Sequence, residues 1–354
     1  MRTLHVLSII CAAAVVASCS SPEAVTPEPE APDVADAADD ADFDIAELRA
    51  GEVRVRNVSV PAGYTLVDMN DRGDLLLGNT WLPKGKKSPQ PLPFIGRSIS
   101  NRQHILGPDL SYFDRGRVVT LPSPCTSFGT PPFVFDCSNP AFAIAQAENG
   151  DILATYRQDA PGTQASPYRY LTVWREQSQT WEELVSIFGD GTSVDGIISD
   201  NGTVAGRVDN YPSPVVTFVQ TLDNRFSIAA EGACPAPFPD AFELVLRAVN
   251  DEGEGVGTAV CDTPGGINGV GMRWSSSGVA SPMDGFPQII DNFGNAAGTL
   301  ADGRVVVQLT DGTVIELAAA GSQAGVRKFL RRGQILGFIA TQPVVWRFGF
   351  PNHS

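Results

Sequence analysis

A serine relay needs a histidine base within reach of a nucleophile and an orienting carboxylate, and histidine is scarce in this chain of 354 residues. His5 sits in an apolar leader, His353 in the last residues, and His104 directly after a turn. His104 is therefore read as structural, and a histidine-based metal site is disfavoured for the same reason. Carboxylates are plentiful, and a suitably spaced pair can hydrolyse a glycosidic bond. Yet Asp71, Asp200, Asp251 and Asp291 all mark a repeated turn, where Asp bonds nearby backbone N–H groups. Gly189-Asp190-Gly191 and Asp302-Gly303 read the same way, and no twelve-residue loop with alternating oxygen ligands for calcium is present. Five tryptophans could stack on sugar rings. Trp174, Trp274 and Trp346 recur with the repeat and are assigned to its core, which leaves Trp81 and Trp181 as the better candidates for a surface role. No catalytic, cofactor-binding or metal-ligating residue is nominated.

The repeat that would position these groups is a short phrase. It runs VDMNDRGDLLLG, SISNRQHILG, AQAENGDILA, IISDNGTVAG, AVNDEGEGVG, IIDNFGNAAG and FLRRGQILG. Each is an apolar strand, a turn of Asn, Asp and Gly, and a second apolar strand. Aligned on the turn, the copies place Gly73, Gln103, Gly150, Gly202, Gly253, Gly294 and Gly333 at spacings of 30, 47, 52, 51, 41 and 39 residues. Glycine accepts the positive φ of a tight hairpin without steric cost, so Gln103 must be built differently or carry strain. The small residue about four positions later, usually Gly, lets neighbouring backbones crowd together. Third strands follow, often with an aromatic (LTVW, VVTFV, GMRW, VVW), and then a fourth, as in GTVIEL from Gly312 to Leu317. The runs Pro83 to Pro93 and Pro161 to Pro167 read as loops.

Four strands in about 40 residues is the period of a propeller blade. The expected fold is all-β: a single β-propeller over residues 51–350, read as seven four-stranded blades. The short first spacing and the atypical second turn leave room for six or eight. The chain ends soon after the third strand of the last copy, and EVRVRNVSV (Glu52 to Val60) alternates like a strand. That segment is expected to supply the missing strand and to remove an open edge.

The phrases resemble extracellular repeats of HAF type, whose form is Ile-Asn-Asp-x-Gly-x-Val-Val-Gly followed by a His-Ala-Phe-x-Trp strand. Val249 to Gly257 (VNDEGEGVG) is the nearest copy, and the resemblance covers most of residues 65 to 348. The His-Ala-Phe element is absent, and only the aromatic at the end of the third strand remains. The resemblance implies a secreted, propeller-like repeat and no established reaction.

Secretion agrees with the N-terminus. Arg2, an apolar run from Leu4 to Ala17 and then Ser18-Cys19 have the plan of a secretory signal, and the run is shorter than the ~20 residues of a spanning helix. Val16-Ala17-Ser18-Cys19 resembles a bacterial lipobox, which implies removal of residues 1–18 and diacylglycerol on Cys19. Ser20 after the cysteine, rather than an aspartate, resembles sorting to an outer membrane. Residues 20 to 50 hold ten acids, one Arg and four prolines, so 19–50 is expected to be a disordered, self-repelling tether.

Of the remaining cysteines, Cys11 leaves with the signal, and Cys125, Cys137, Cys234 and Cys261 form an even set in an oxidising compartment. Three pairings are open to them. The local one, Cys125 with Cys137 and Cys234 with Cys261, closes short loops within single repeats and is the expected one.

The formal charge of -15 leaves only -7 for residues 51 to 354 once leader and tether are set aside. Such a domain lacks the basic face that nucleic acid requires. The expected function is a monomeric, non-enzymatic binding or scaffold module that uses loops at one face for a protein or glycan partner. The alternative is a propeller enzyme of glycoside hydrolase or lyase type, acting on extracellular or cell-wall polysaccharide. Carboxylates of different repeats converging at the channel mouth beside exposed aromatics would favour the enzyme; a channel lined by small and apolar residues would favour binding. Cys19→Ala is expected to abolish metabolic labelling with radioactive palmitate and to release the protein from membranes. Unchanged membrane retention would refute the lipid anchor.

Overall fold

A computed structural model of the chain describes residues 48–349, apart from positions 50, 127, 131, 132, 136, 138–140, 224 and 332 and the segments 160–167, 189–192, 210–215, 229–233, 235–242 and 264–265. The leader, Cys19, nearly all of the acidic stretch, Pro161 to Pro167, Gly189-Asp190-Gly191 and His353 lie outside the described residues.

The described residues form seven four-stranded antiparallel sheets arranged as a ring, a seven-bladed β-propeller. Blades 1 to 7 occupy residues 68–91, 98–120, 142–188, 193–228, 243–282, 286–318 and 324–348, the last completed by 53–57. In each, the strand before the repeated turn is innermost and the rest follow outward in chain order, except that the outermost strand of blade 7 is the N-terminal Val53–Asn57. One additional hairpin, Phe128–Thr130 with Phe133–Phe135, lies in the connection between blades 2 and 3 and has no counterpart in the repeat pattern.

The turns have the geometry expected of their glycines. Gly73, Gly150, Gly202, Gly253, Gly294 and Gly333 have φ between 65° and 99°, and Gln103 adopts the same left-handed conformation at 65°. The second copy therefore keeps the turn and carries a residue poorly suited to it.

Seven buried clusters occupy the seven contacts between adjacent blades. Blades 7 and 1 share theirs through Leu330, Leu336 and Val345 against Met69, Leu75 and Leu77, which closes the ring. The third-strand aromatics Trp174, Phe218, Trp274 and Trp346 are all buried, each facing the preceding blade. Trp81 and Trp181 pack as well. Trp81 meets Phe113 edge-on at 6.4 Å. Trp181 meets Trp174 at 5.5 Å and donates its indole N–H to Pro122 O at 2.7 Å. The surface role expected of these two is therefore corrected: both rings fill the junctions between blades 1 and 2 or 2 and 3.

The ring is locked by its N-terminal strand. Val53–Asn57 pairs antiparallel with Gln342–Phe348, from Val53 opposite Phe348 to Asn57 opposite Val344. Both expected disulfides are present, Cys125–Cys137 beside the extra hairpin and Cys234–Cys261 tying the approach to blade 5 to its second strand. In the chain-entropy model, loops of these lengths stabilise by about 3 and 3.5 kcal/mol.

Deleting residues 48–57 uncovers the edge of Gln342–Phe348, and a free edge templates pairing between chains. The expected outcome is a lower unfolding temperature and soluble oligomers by light scattering. A monomer with unchanged stability would show that this strand does not close the ring.

Candidate functional site: the axial mouth

The first hairpin turns of all blades gather around the axis on one face. Within each turn, one side chain organises the local backbone. Asn70 Oδ1 accepts the N–H groups of Arg72 and Asp74, and Asn250 Oδ1 accepts that of Glu254. Asp291 accepts those of Phe293 and Asn295. This is the turn duty expected of such residues, and Asp302 performs it in a later turn by accepting the Arg304 N–H.

Asp71 and Asp251 do something else: they bond the next turn around the ring. The Arg331 N–H donates to Asp71 Oδ1 at 2.9 Å, and Asp71 N–H donates to Asn101 Oδ1 at 2.8 Å. Asn101 N–H then donates to Glu148 Oε2. In blade 3 the donor is one residue later, Asn149 N–H to the Asp200 carbonyl at 3.0 Å. Asn201 N–H continues to Asp251 Oδ1 at 2.9 Å, and Asp251 N–H to Asn292 Oδ1 at 3.0 Å. Among the described residues the turns thus form a relay in which the backbone of every repeat but the sixth donates to the next.

The one-residue shift in blades 3 and 4 has a chemical result. The relay uses the backbone of Asp200, and its carboxylate makes no hydrogen bond to any described residue. Water reaches this side chain, but the wall of the mouth desolvates it. Glu148, Asp251 and Asp71 add like charge, Lys328 opposes them, and the pKa of Asp200 is raised to about 6.

Lys328 projects from the inner strand of blade 7, Ala324–Leu330, and its Nζ donates to Glu148 Oε1 at 3.2 Å. Blades 7 and 3 are not neighbours, so this ion pair bridges the axis. Burial works against the lysine charge, but Asp68, Glu148 and Asp200 outweigh it and raise the pKa, so Lys328 stays protonated. At the rim, Phe293 is 80% exposed on the blade 6 turn.

His104 belongs to another environment. Its ring lies 4.9 Å from Tyr112, and Nε2 is 3.6 Å from Asp114 Oδ1. Burial lowers its pKa, and Asp114 and Glu176 only partly counter this. The nearby Ser100 hydroxyl accepts the backbone N–H of His104 rather than facing its imidazole. Among the described residues, no three His, Cys, Asp or Glu side chains are grouped to hold a metal ion.

Asp71, Asp200 and Asp251 were legible in sequence as turn residues, and their convergence was not. Glu148, Lys328 and Phe293 escaped sequence reasoning. Glu148 occupies a position where five of the other six copies have Asp or Asn and the seventh has Arg331, and the lysine reaches its partner only through ring closure. A channel lined by small and apolar residues, the arrangement expected to favour binding, is not what forms at this mouth.

A raised carboxyl pKa favours the folded state fully below the unfolded value near 4, and that contribution is lost as pH rises through about 6. Asp200→Asn is therefore expected to raise the unfolding temperature at pH 8 and to have no effect near pH 4. Two pKa units would be worth about 3 kcal/mol in a dry site. Solvent screening of this exposed group reduces that to about 1 kcal/mol, or roughly 2 °C for a domain of this size. A decrease at pH 8 would disprove crowding of like charge.

No family model matches the chain, and no curated protein matches it. Its fold is similar to that of a crystal structure provisionally termed a gluconolactonase, with 12% identity, a TM-score of 0.39, and coverage of 86% of this chain and 95% of that one. It is also similar to PorZ, a bacterial surface component of the type-IX secretion system of Porphyromonas gingivalis, with 10% identity and a TM-score of 0.40. That match covers 87% of this chain and 48% of PorZ.

Proposed function

We propose that the chain is a lipid-anchored, extracytoplasmic binding module of the bacterial envelope, tethered through Cys19 and sorted to the outer membrane, whose propeller faces hold a protein or glycan partner. The carrying observation is the use made of the carboxylates at the mouth. Asp71 and Asp251 are spent on neighbouring turns, and Glu148 on Asn101 and Lys328. A hydrolase needs two carboxyl groups free to face substrate; of these four carboxylates only that of Asp200 is unbonded to the described residues. Two disulfides suit an oxidising compartment. Loops on a rigid ring suit recognition, because the scaffold fixes them and their sequences can vary.

One observation favours the enzymatic alternative. Asp200 is held near pKa 6, with Glu148 the first of the like charges acting on it and Glu148 itself ion-paired to Lys328. A carboxyl group whose pKa is raised toward neutrality is the kind that can serve as a general acid. The exposed Phe293 offers an apolar face on the blade 6 turn.

Incubation with an array of neutral and acidic glycans, followed by product analysis of every bound sugar, separates the two readings. Binding without cleavage, unchanged in Asp200→Asn, is the expected result. Cleavage that Asp200→Asn reduces by about 100-fold or more, the usual contribution of a general acid, would establish the enzyme instead. Retention of neither glycans nor envelope proteins in co-purification from intact cells would defeat the binding reading.

A further inference from the structure

A second chemical level lies deeper along the axis. Six positions before the turn, the inner strands of blades 2, 5 and 7 carry Arg97, Arg247 and Arg327, and that of blade 6 carries Gln288. Strand pairing skips Arg247 between Leu246 and Ala248, Gln288 between Pro287 and Ile289, and Arg327 between Val326 and Lys328. Arg97 stands likewise: its N–H donates to the carbonyl of Leu106, already the partner of Ser98. A bulge of this kind leaves one residue unpaired and re-aims its side chain.

All four side chains are exposed. An inner strand is covered outward by the second strand of its blade and on both faces by adjacent blades. A residue in its middle therefore reaches solvent only along the axis. Arg97 Nη1 donates to the carbonyl of Ala143 on the inner strand of blade 3 at 2.7 Å. Arg327 Nη1 donates to the carbonyls of Leu66 and Val67 beside that of blade 1, at 3.2 and 2.9 Å. These bonds lay both guanidinium groups along the channel wall with donors unspent. Arg247 makes no hydrogen bond or ion pair with any described residue. Two carboxylates are near this level. Asp68 accepts the Met69 and Ile99 N–H groups, and Asp195 of blade 4 accepts the Gly196 N–H.

We propose that this level is a binding site for a compact multivalent oxyanion, held by Arg97, Arg247 and Arg327 with Gln288 as a neutral donor. Guanidinium forks match carboxylate, sulfate and phosphate oxygens in pairs, and a narrow channel with protein walls strengthens each contact relative to open water. The Lys328–Glu148 bridge lies on the turn side of this level, so the ligand enters from the opposite end. The site is separate from the loops invoked for partner recognition, and its existence does not depend on that reading.

Thermal unfolding of the mature protein, titrated with inorganic phosphate, sulfate or citrate against chloride at equal ionic strength, tests the site. At least one anion is expected to raise the unfolding temperature saturably, and the three separate tetrahedral from planar oxyanions. Arg247→Ala is expected to keep the parental unfolding temperature in chloride, since the Arg247 side chain has no partner to lose among the described residues, and to weaken the apparent Kd about tenfold or more, the worth of a charged hydrogen bond. The control Arg54→Ala, on the outer strand Val53–Asn57, should respond as the parent does. No anion exceeding chloride, or an Arg247→Ala response equal to the parent's, would overturn the proposal.

Discussion

The structure depends on a relay of hydrogen bonds that runs around the axis from turn to turn. A hairpin leaves backbone N–H groups pointing out of the sheet, and at the axis these groups are crowded by neighbouring turns. Donating them to a side chain of the next blade satisfies them and fixes the relative rotation of adjacent sheets at the same time. From Arg331 through Asp71 and Asn101 to Glu148 the contact repeats with different acceptors, and it resumes from Asn201 through Asp251 to Asn292. What such a turn requires is an oxygen at the correct height, which Asp, Asn and Glu all supply.

That requirement bears directly on function. Carboxylates converge at the mouth because the turns converge there, and their bonding shows most of them to be structural. Asp200 escapes only because blades 3 and 4 use a donor one residue later, which leaves its side chain among like charges. Lys328 offsets this acidity from the far side of the axis, and no local sequence rule connects it to Glu148. A mouth of this kind combines rigidity with charge.

The same economy links the glycines to the channel. Gly257, Gly298 and Gly337 lie opposite Leu246, Pro287 and Val326, the residues just before the three bulges. A Cβ at these glycines would come within 2.1 Å of Val245 O, 2.2 Å of Phe286 O and 2.2 Å of Gly325 O. In these three blades a carbonyl of the inner strand presses on its neighbour where glycine leaves room, whereas blade 3 carries the same bulge with Ala154 opposite. The small residue after each turn, read in the sequence as a sign of crowding backbones, is thus the local partner of the feature that aims Arg247, Gln288 and Arg327 at the axis.

The sequence by itself determined the blade. A turn with its glycine, two apolar strands and a buried third-strand aromatic are dictated by local backbone geometry and by the need to bury large side chains, and all recur at a readable spacing. The two disulfides were legible because their loops are short, and the closing strand because an unpaired edge is unfavourable. Only the tertiary structure decided which side chains meet. Residues such as Lys328 and Glu148, 180 positions apart, are joined by the curvature of the whole ring. That curvature is set by seven packed interfaces together, so no segment contains it. The arginine level along the axis depends on it for the same reason, because Arg97, Arg247 and Arg327 come from blades brought together only when the chain closes on itself; the packing of Trp81 and Trp181 needs only adjacent blades.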